Sequence, residues 1–411
     1  MTASSAWTTT TIIDATAKIM DYRGRTPKKL GMDWGNGYIP AISARNVRMG
    51  KIDFDEEFYV ASDSLYRRWM TQGDMEQGDT LVTTEAPLGN VAAVPDARRY
   101  VLSQRTVLLR PRPSLFDKAF FTQVLQSPEF QSLLTQNSSG STALGIQRKK
   151  LEQLHIPTPP LKEQRCIANA LRDADDLIAT LERLIAKKQA IKQGMMQQLL
   201  TGRTRLPGFT ARWTDIALGD IARFSKGSGL PKSALTTSGS TPCIHYGELF
   251  TFYGPEIHTV ASRTNPTGRV VISEDLDVLM PTSDVTPRGL AKASAIHERG
   301  VVLGGDVLII RPEPKRAYGP FLAHAIRRDA DQVLQLVRGS TVYHLYAADM
   351  RNFTLTIPPV EEQRAIADVL LDAELEIEGL HVRLTKARAI KQGMMQQLLT
   401  GRTRLSVEAE S

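Results

Sequence analysis

The sequence repeats itself with an offset of 199 residues. The segment AIKQGMMQQLLTGRTRL at 190–206 recurs unchanged at 389–405. The match extends back without a gap to Gly140 and Gly339, and 33 of the 67 aligned pairs are identical. A period of this length is far longer than a solenoid unit, so the chain is a tandem fusion of two homologous modules.

The blocks upstream of the repeat, residues 1–139 and 207–338, share only short traces. TPKK at 26–29 resembles LPKS at 230–233, IPAI at 39–42 resembles TPCI at 241–244, and GDTLV at 78–82 resembles GDVLI at 305–309. Both blocks contain short β-rich runs, such as 80–84, 106–110 and 301–303, between glycine turns. Helical patches are predicted at 116–134 and 320–337. Each block is therefore expected to be an α/β or α+β globular domain.

The repeated blocks predict two long helices. Pro159 and Pro160 disfavour helix before them, and from Leu161 to about Thr201 the chain has one glycine and no proline. Apolar residues recur at steps of three and four, which is typical of a coiled-coil seam. The expected helix-pair or partner-binding positions are Ile167, Leu171, Ile178, Leu181, Met195, Met196, Leu199, Ile366, Leu370, Ile377, Leu380, Met394, Met395 and Leu398. Lys188, Lys192 and Lys391 interrupt the seam, either to fix its register or because they face solvent.

Charge favours pairing of these two helices. Residues 156–206 carry nine Lys/Arg and five Asp/Glu, whereas residues 357–411 carry seven and nine. Opposite net charges attract. A pseudo-twofold relation between the modules makes the helices an antiparallel coiled coil with a globular domain at each end. The expected boundaries are a first domain at 1–158, a central helix at 159–206, a second domain at 207–357, a distal helix at 358–405 and a tail at 406–411.

Composition excludes several classes of protein. No apolar run is long enough for a membrane span, the polar start lacks a signal-peptide pattern, and two cysteines suit a reducing cytoplasm. The net charge of +7 is consistent with an acidic partner such as nucleic acid. No nucleotide-binding, metalloprotease, hydrolase or amino-methyltransferase motif occurs, and the seven histidines show no ligand spacing. We therefore expect no catalytic site and no metal site.

Basic loops are the candidate DNA-binding features. In the first module these are Arg23, Arg25, Lys28, Lys29, Arg45, Asn46 and Arg48, and in the second Lys226, Lys232, His245 and Tyr246. Such side chains bind phosphates or base edges, although a solvated charged loop explains them equally well. The Gly-Ser-Thr loops recur in register, which adds Ser141, Thr142, Ser340, Thr341 and Tyr343 as candidates. The alternative for these loops is a turn that leads into the following strand.

Taken together, the pattern GST…PP…EQRxIA followed by a long helix ending IKQGMMQQLLTG, present twice, resembles the DNA-specificity subunit of Type I restriction-modification systems. The resemblance covers essentially the whole chain. It implies two target recognition domains that each read half of a bipartite asymmetric site of double-stranded DNA. It also implies helices that set the spacer and bind two modification (methyltransferase) subunits, with restriction (motor-nuclease) subunits completing the complex. S-adenosylmethionine, ATP and Mg²⁺ are then expected on those partners, with no cofactor in this chain.

Two other readings remain open. The chain could be a coiled-coil scaffold that bridges proteins without binding DNA, or a fused enzyme that both methylates and cuts. The missing catalytic motifs and the short length count against the fused enzyme. Salt-dependent, sequence-specific DNA binding distinguishes a reader from a scaffold.

Overall fold

The protein forms two compact units. The structure, a computed structural model, describes residues 7–140, 144–266 and 268–405. The first unit comprises residues 1–181 and 383–411, and the second comprises residues 182–382. Each unit thus contains one of the divergent blocks and a piece of each long helix.

The first unit is a mixed α/β domain. Its strands are β1 (Thr8–Thr11), β2 (Thr16–Asp21), β3 (Ile39–Ile42), β4 (Val47–Arg48), β5 (Lys51–Ile52), β6 (Tyr59–Ala61), β7 (Thr80–Thr84), β8 (Leu88–Ala93), β9 (Val101–Leu102), β10 (Thr106–Pro111) and β11 (His155–Thr158). Its short helices are α1 (Ile12–Ala15), α2 (Asp63–Trp69), α3 (Lys118–Gln126), α4 (Pro128–Gln136) and α5 (Arg148–Glu152).

The central sheet of this unit is antiparallel, in the order β2-β10-β7-β8. Side chains alternate between its faces along β10. Val107 and Leu109 enter the core beneath α3 and α4, whereas Leu108 enters the core shared with the second sheet, β6-β3-β9. A sheet buried on both faces explains why β7 has no exposed residue.

The second unit has the same plan with different side chains. Its strands are β12 (Thr214–Ala217), β13 (Ala222–Lys226), β14 (Thr241–Ile244), β15 (Glu256–Ile257), β16 (Ser262–Thr264), β17 (Val278–Pro281), β18 (Ser283–Asp284), β19 (Ser294–Ile296), β20 (Val302–Leu303), β21 (Val307–Pro312), β22 (Tyr343–His344) and β23 (Thr354–Ile357). The central sheet has the order β13-β21-β17-β19-β15, and a smaller sheet has the order β16-β14-β20.

The remaining helices include the two long ones. The long helices are α6 (Leu161–Leu199) and α11 (Val360–Leu398), and the short helices of the second unit are α7 (Glu248–Thr251), α8 (Gly319–Arg328), α9 (Ala330–Leu336) and α10 (Ala347–Met350). Both long helices have 39 residues, about 58 Å at 1.5 Å per residue. The predicted fold class and the two long helices are confirmed.

The structure confirms the two helical patches, divides each of them, and corrects one strand alignment. Each helical patch is a pair of helices. In the first, Pro128 cannot continue α3, and the hydroxyl of Ser127 accepts the amide of Phe130 to begin α4. In the second, α8 ends at Arg328 and α9 begins at Ala330. The GDTLV and GDVLI segments are also not equivalent. They form β7 and β21, which are different strands of the two matching sheets.

Within the described residues, no helix is both long and apolar enough to cross a membrane.

Candidate functional site

The predicted helix-pair positions lie inside the units, where they are buried or half-buried. In the first unit, Ile167 and Leu171 near the start of α6 share a core with Met395 and Leu398 near the end of α11. The second unit repeats this arrangement, because Leu199 near the end of α6 shares a core with Ile366 near the start of α11. The start of one helix therefore packs beside the end of the other, which makes the pairing antiparallel in each unit.

The lysines that interrupt the seam make ion pairs with the opposite helix. In the second unit Lys192 lies 2.8 Å from Glu374. In the first unit Lys391 lies 2.6 Å from Asp175. Lys391 corresponds to Lys192 and Asp175 to Glu374 at the repeat offset, so the same pair of positions is joined in both units. Lys188 adds a contact of 2.7 Å to Glu376. Ion pairs that join fixed positions on two helices favour one register of the helix pair. The geometry therefore supports the explanation that these lysines fix the register rather than face solvent.

A cluster of three side chains holds the end of each long helix. The first end cluster consists of Glu163, Arg404 and Trp7: the buried Glu163 carboxylate accepts hydrogen bonds from Arg404 at 2.7 Å and from the Trp7 indole at 3.1 Å. Gly401 has a left-handed φ of +72°, and a Cβ there would lie 3.2 Å from the Trp7 ring. Glycine is therefore required at this position.

The second end cluster consists of the same residue types, Glu362, Arg205 and Trp213, but the buried indole N–H of Trp213 has no hydrogen-bond partner among the described residues. Arg205 donates to both oxygens of Glu362 at 2.5 and 2.6 Å, and its guanidinium lies 5.7 Å from the centre of the Trp213 ring. In both clusters the glutamate of an EQR segment binds the last arginine of a TGRTRL segment. Each cluster therefore joins residues from both copies of the repeat.

The glutamine of each EQR segment attaches the helix to its globular domain. Gln164 is fully buried, donates to the carbonyls of Leu115 and Pro159 at 2.8 Å each, and accepts the amide of Asp117 at 2.8 Å. Gln363 makes the corresponding three bonds in the second unit at 2.8–3.0 Å. The EQR segment is thus an anchoring motif, a role that the sequence pattern alone did not reveal.

A cleft of about 490 Å³ in the first unit contains two of the predicted DNA-binding residues. Lys28 and Arg45 line it together with Arg105, which the sequence analysis had missed. The aromatic pair Trp34 and Tyr59 stacks beside them with ring centres 5.6 Å apart, and Tyr59 is 61% exposed. Cationic side chains around an exposed aromatic ring form a surface suited to phosphates and bases.

Arg23 and Arg25 do not reach this cleft. Arg23 forms a salt bridge of 2.6 Å with Asp21 and a hydrogen bond of 3.1 Å to Thr84. Burial alone would raise the pKa of Asp21, but hydrogen bonds from Arg23 outweigh it and leave the pKa below its usual value. Arg25 donates to the carbonyl of Trp69 at 2.5 Å. These two arginines are held by the fold.

The remaining candidates of the first unit are also engaged within it. Asn46 is fully buried and donates to the carbonyls of Glu56 and Glu57. Its prediction as a base-reading residue therefore conflicts with its position, because its amide stabilises a loop. Arg48 lies 3.0 Å from Glu56. Lys29 is exposed and donates to the carbonyl of Gly24.

The candidates of the second unit lie on its surface or just beneath it. Lys232 is exposed, and Lys226 lies 3.2 Å from Asp306. His245 is half-buried and stacks obliquely on Tyr246 with ring centres 4.5 Å apart. Burial lowers the pKa of His245, which favours its neutral form at pH 7.

The Gly-Ser-Thr loops are described in one unit only. Ser340 and Thr341 are exposed, and Tyr343 is half-buried in β22. Ser141 and Thr142 lie outside the described residues. The flanking residues Ser139 and Gly145 line a cavity of about 510 Å³ together with Arg23 and Arg148.

Comparison with known proteins identifies the family. The profile of the Type I restriction modification DNA specificity domain matches residues 7–193 and again residues 211–383. The chain belongs to the Type I restriction-modification DNA specificity family. It is a specificity subunit with two target recognition domains, and specificity subunits are the non-catalytic components of these systems.

Similar proteins cover nearly the whole specificity subunit. It is 23% identical over 89% of its length to the putative type I restriction enzyme MjaX specificity subunit of Methanocaldococcus jannaschii, and 86% of that protein is covered. The MjaVIII specificity subunit of the same organism is 22% identical, with 93% and 90% covered. The solved S subunit from M. genitalium shares the fold, with a TM-score of 0.62 at 17% identity over 99% and 98% of the two chains.

Proposed function

We propose that this specificity subunit directs a Type I restriction-modification complex to one bipartite sequence of double-stranded DNA. The observation that carries the proposal is the contrast between the units. Their sheets follow one plan, whereas the side chains of their surface loops differ. Two domains with the same fold but different surface side chains are suited to recognise two different half-sites. The helix segments that are repeated unchanged are suited to bind the same partner twice.

The cleft of the first unit is the proposed reading surface for one half-site. Lys28 supplies charge for a phosphate, and Arg45 has a planar guanidinium that can donate two hydrogen bonds to guanine. Arg45 is paired in the free protein with Glu56 at 3.2 Å and remains 62% exposed, so DNA competes with a surface ion pair. Tyr59 presents an apolar face beside them.

Variants of the full complex test this assignment. We expect Arg45→Ala to weaken discrimination at one half-site by roughly 5- to 100-fold and to leave the other half-site unchanged. Lys28→Ala should weaken binding to all sequences alike and reduce its salt dependence. Arg98→Ala is the control, because this arginine is exposed and does not line the cleft. Altered preference in both halves at once contradicts modular reading.

Two exposed isoleucines are the proposed docking points for modification subunits. Ile191 and Ile390 occupy the same position of the repeated segment and are 44% and 62% exposed, one in each unit. Equal surfaces select the same partner, so two copies are expected. Met195 and Met394 of this segment pack against the cores of the two units instead, which supports a role for them in the helix pair.

Native mass spectrometry of the assembly measures this stoichiometry. Ile191→Asp or Ile390→Asp alone should leave one modification subunit bound, and the double variant should leave none. Gln189→Asp, on an exposed position of the same helix, introduces the same single negative charge and is the matched control. Two copies bound to the double variant would place the docking surface elsewhere. We expect S-adenosylmethionine, ATP and Mg²⁺ to bind the partner subunits, including restriction subunits where present, and not the isolated chain.

The helices are proposed to set the gap between half-sites. One heptad inserted after Leu181 and one after Val382 lengthens both helices by about 10.5 Å and leaves the contacts within each unit intact. The gap should grow by up to about three base pairs, at roughly 3.4 Å each, with both half-sites unchanged. Methylome sequencing reads the result, and insertion in α6 alone is the mismatched control. An unchanged gap with full activity refutes the spacer role.

A further inference from the structure

Three histidines that are distant in sequence converge on one glutamate in the second unit. Strands β15 and β19 are parallel and pair Glu256 with Ala295 and Ile257 with Ile296. The amide of His297 donates to the carbonyl of Ile257 at 3.0 Å, so the next position of each strand, His258 and His297, lies side by side. Because side chains alternate along a strand, Glu256 and His258 share one face.

The possible ligand atoms of Glu256, His258 and His297 lie close to one another. The Nδ1 or Nε2 atoms of His258 and His297 and a carboxylate oxygen of Glu256 all lie within 4.8 Å of one another. Glu256 Oε2 is 2.8 Å from His297 Nε2 and 3.7 Å from His258 Nε2. The two imidazole rings stack with centres 4.2 Å apart.

A fourth group closes the cluster from the buried side. His324, on α8, is 1% exposed, and neither ring nitrogen has a hydrogen-bond partner. Its Nε2 lies 3.8 Å from Glu256 Oε1, a buried oxygen that also lacks a partner. That separation is too long for a hydrogen bond, and buried polar atoms without partners are costly. An atom bound between them would satisfy both.

We propose that Glu256, His258, His297 and His324 form a zinc site in the second target recognition domain. Zinc binds imidazole nitrogen and carboxylate oxygen at about 2.0–2.2 Å in tetrahedral geometry, which places neighbouring ligands about 3.3 Å apart. The distances from Glu256 Oε2 to His297 and His258, 2.8 and 3.7 Å, bracket that value. His324 lies 3.8 Å from the other carboxylate oxygen, Oε1, so it reaches the metal from the opposite side of the carboxylate. Glu256, His258 and His297 form the close group of three, and His324 is the proposed fourth ligand. With His324 bound, no position stays open, so the proposed site is structural rather than catalytic.

The zinc site would tie the edge strand β15 to α8. Arg327, one helical turn after His324, already joins the same elements by donating to the carbonyls of Ala293 and Gly254. The first unit is built differently. Gln123 takes the place of His324 on its helix and donates to the carbonyl of Ala168, and among the described residues its central sheet ends at β8, with no counterpart of β15. The site is thus specific to the second unit.

Zinc titration of the chelator-treated full-length chain tests the proposal. We expect one Zn²⁺ per chain by calorimetry and, with Co²⁺ as the probe, the visible absorption bands of a tetrahedral complex. Saturating zinc, at about 100 times its Kd, should raise the thermal midpoint by roughly 5–10 °C. Absence of a one-to-one zinc complex would overturn the proposal.

Variants separate this site from adventitious binding. His297→Ala should weaken zinc binding at least 100-fold. His324→Gln, which installs the side chain of the first unit, should weaken it about 10- to 100-fold. His258→Ala alters a half-exposed residue, so its loss of zinc with unchanged circular dichroism excludes misfolding as the cause. His155→Ala, an exposed histidine of the first unit, is the matched control. Unchanged zinc affinity in His297→Ala refutes the site. Unchanged zinc affinity in His324→Gln refutes the assignment of His324 as the fourth ligand.

Discussion

Replacing Gln164 measures how firmly α6 is attached to the first globular domain. In Gln164→Ala, the carbonyls of Leu115 and Pro159 lose their donor and the amide of Asp117 loses its acceptor. All three contacts are 2.8 Å long, and the side chain is fully buried. Bulk water does not reach these groups in the native state, so the substitution should destabilise the first unit.

The magnitude follows from the number of bonds. A hydrogen bond contributes about 0.5–1.5 kcal/mol net, so three bonds amount to about 2–4 kcal/mol. For a unit of this size, that free energy corresponds to a fall in the thermal midpoint of roughly 5–15 °C. Gln164→Glu should cost more, because it places a carboxylate oxygen against the two carbonyls.

Urea unfolding followed by circular dichroism gives the free energy of unfolding, and hydrogen exchange at the Asp117 amide reports the local contact. That amide should exchange faster in Gln164→Ala. Gln363→Ala should cause a similar loss in the second unit, since its three bonds have the same geometry. Gln189→Ala, on the exposed side of α6, is the control and should stay within about 0.5 kcal/mol. A Gln164→Ala variant as stable as this control would refute the anchoring role.

Three further outcomes follow from the ion pairs. Arg404→Glu should lower the thermal midpoint of unfolding, and adding Glu163→Arg should recover part of the loss; no recovery means that the two side chains are uncoupled. A double-mutant cycle on Lys391 and Asp175 should give a coupling energy of about 0.5–1 kcal/mol, measured by urea unfolding, with zero coupling as the contrary result. Because the folded-state pKa of Asp21 is depressed, its stabilisation is present above the unfolded pKa of about 3.9 and is lost as the pH falls below it. Asp21→Asn should therefore reduce the acid dependence of stability, and an unchanged acid limb contradicts this.

The long helices were predictable because their signals are local. Pro160 marks the start of α6, the three-four spacing continues through it, and Gly202 follows its end. The boundary between α3 and α4 was missed, although Ser127 and Pro128 are a recognisable helix start. Apolar residues such as Leu125 and Phe130 continue on both sides of this boundary, so apolar periodicity does not mark it.

The functional surfaces were harder to predict because they depend on contacts between distant residues. The sequence cannot show that Arg23 is occupied by Asp21 whereas Arg45 lines a cleft. Asn46 has a side-chain amide of the kind that binds base edges, but in the structure this amide donates hydrogen bonds that hold a loop. The proximity of His297 and His324 to Glu256 could not be predicted for the same reason, because strand pairing and helix packing bring each of them to this carboxylate.

The end clusters have a consequence for the gene. Glu163 and Arg205 belong to one copy of the repeat, yet each binds its partner from the other copy. An exchange between the two identical seventeen-residue segments would delete 199 residues and leave a chain with one globular block and a single long helix that carries both halves of the contact. Such a chain could satisfy its end clusters only with a second copy of itself. Unequal crossing-over at this repeat would therefore replace a chain that has two different recognition domains with a symmetric homodimer that has two identical ones.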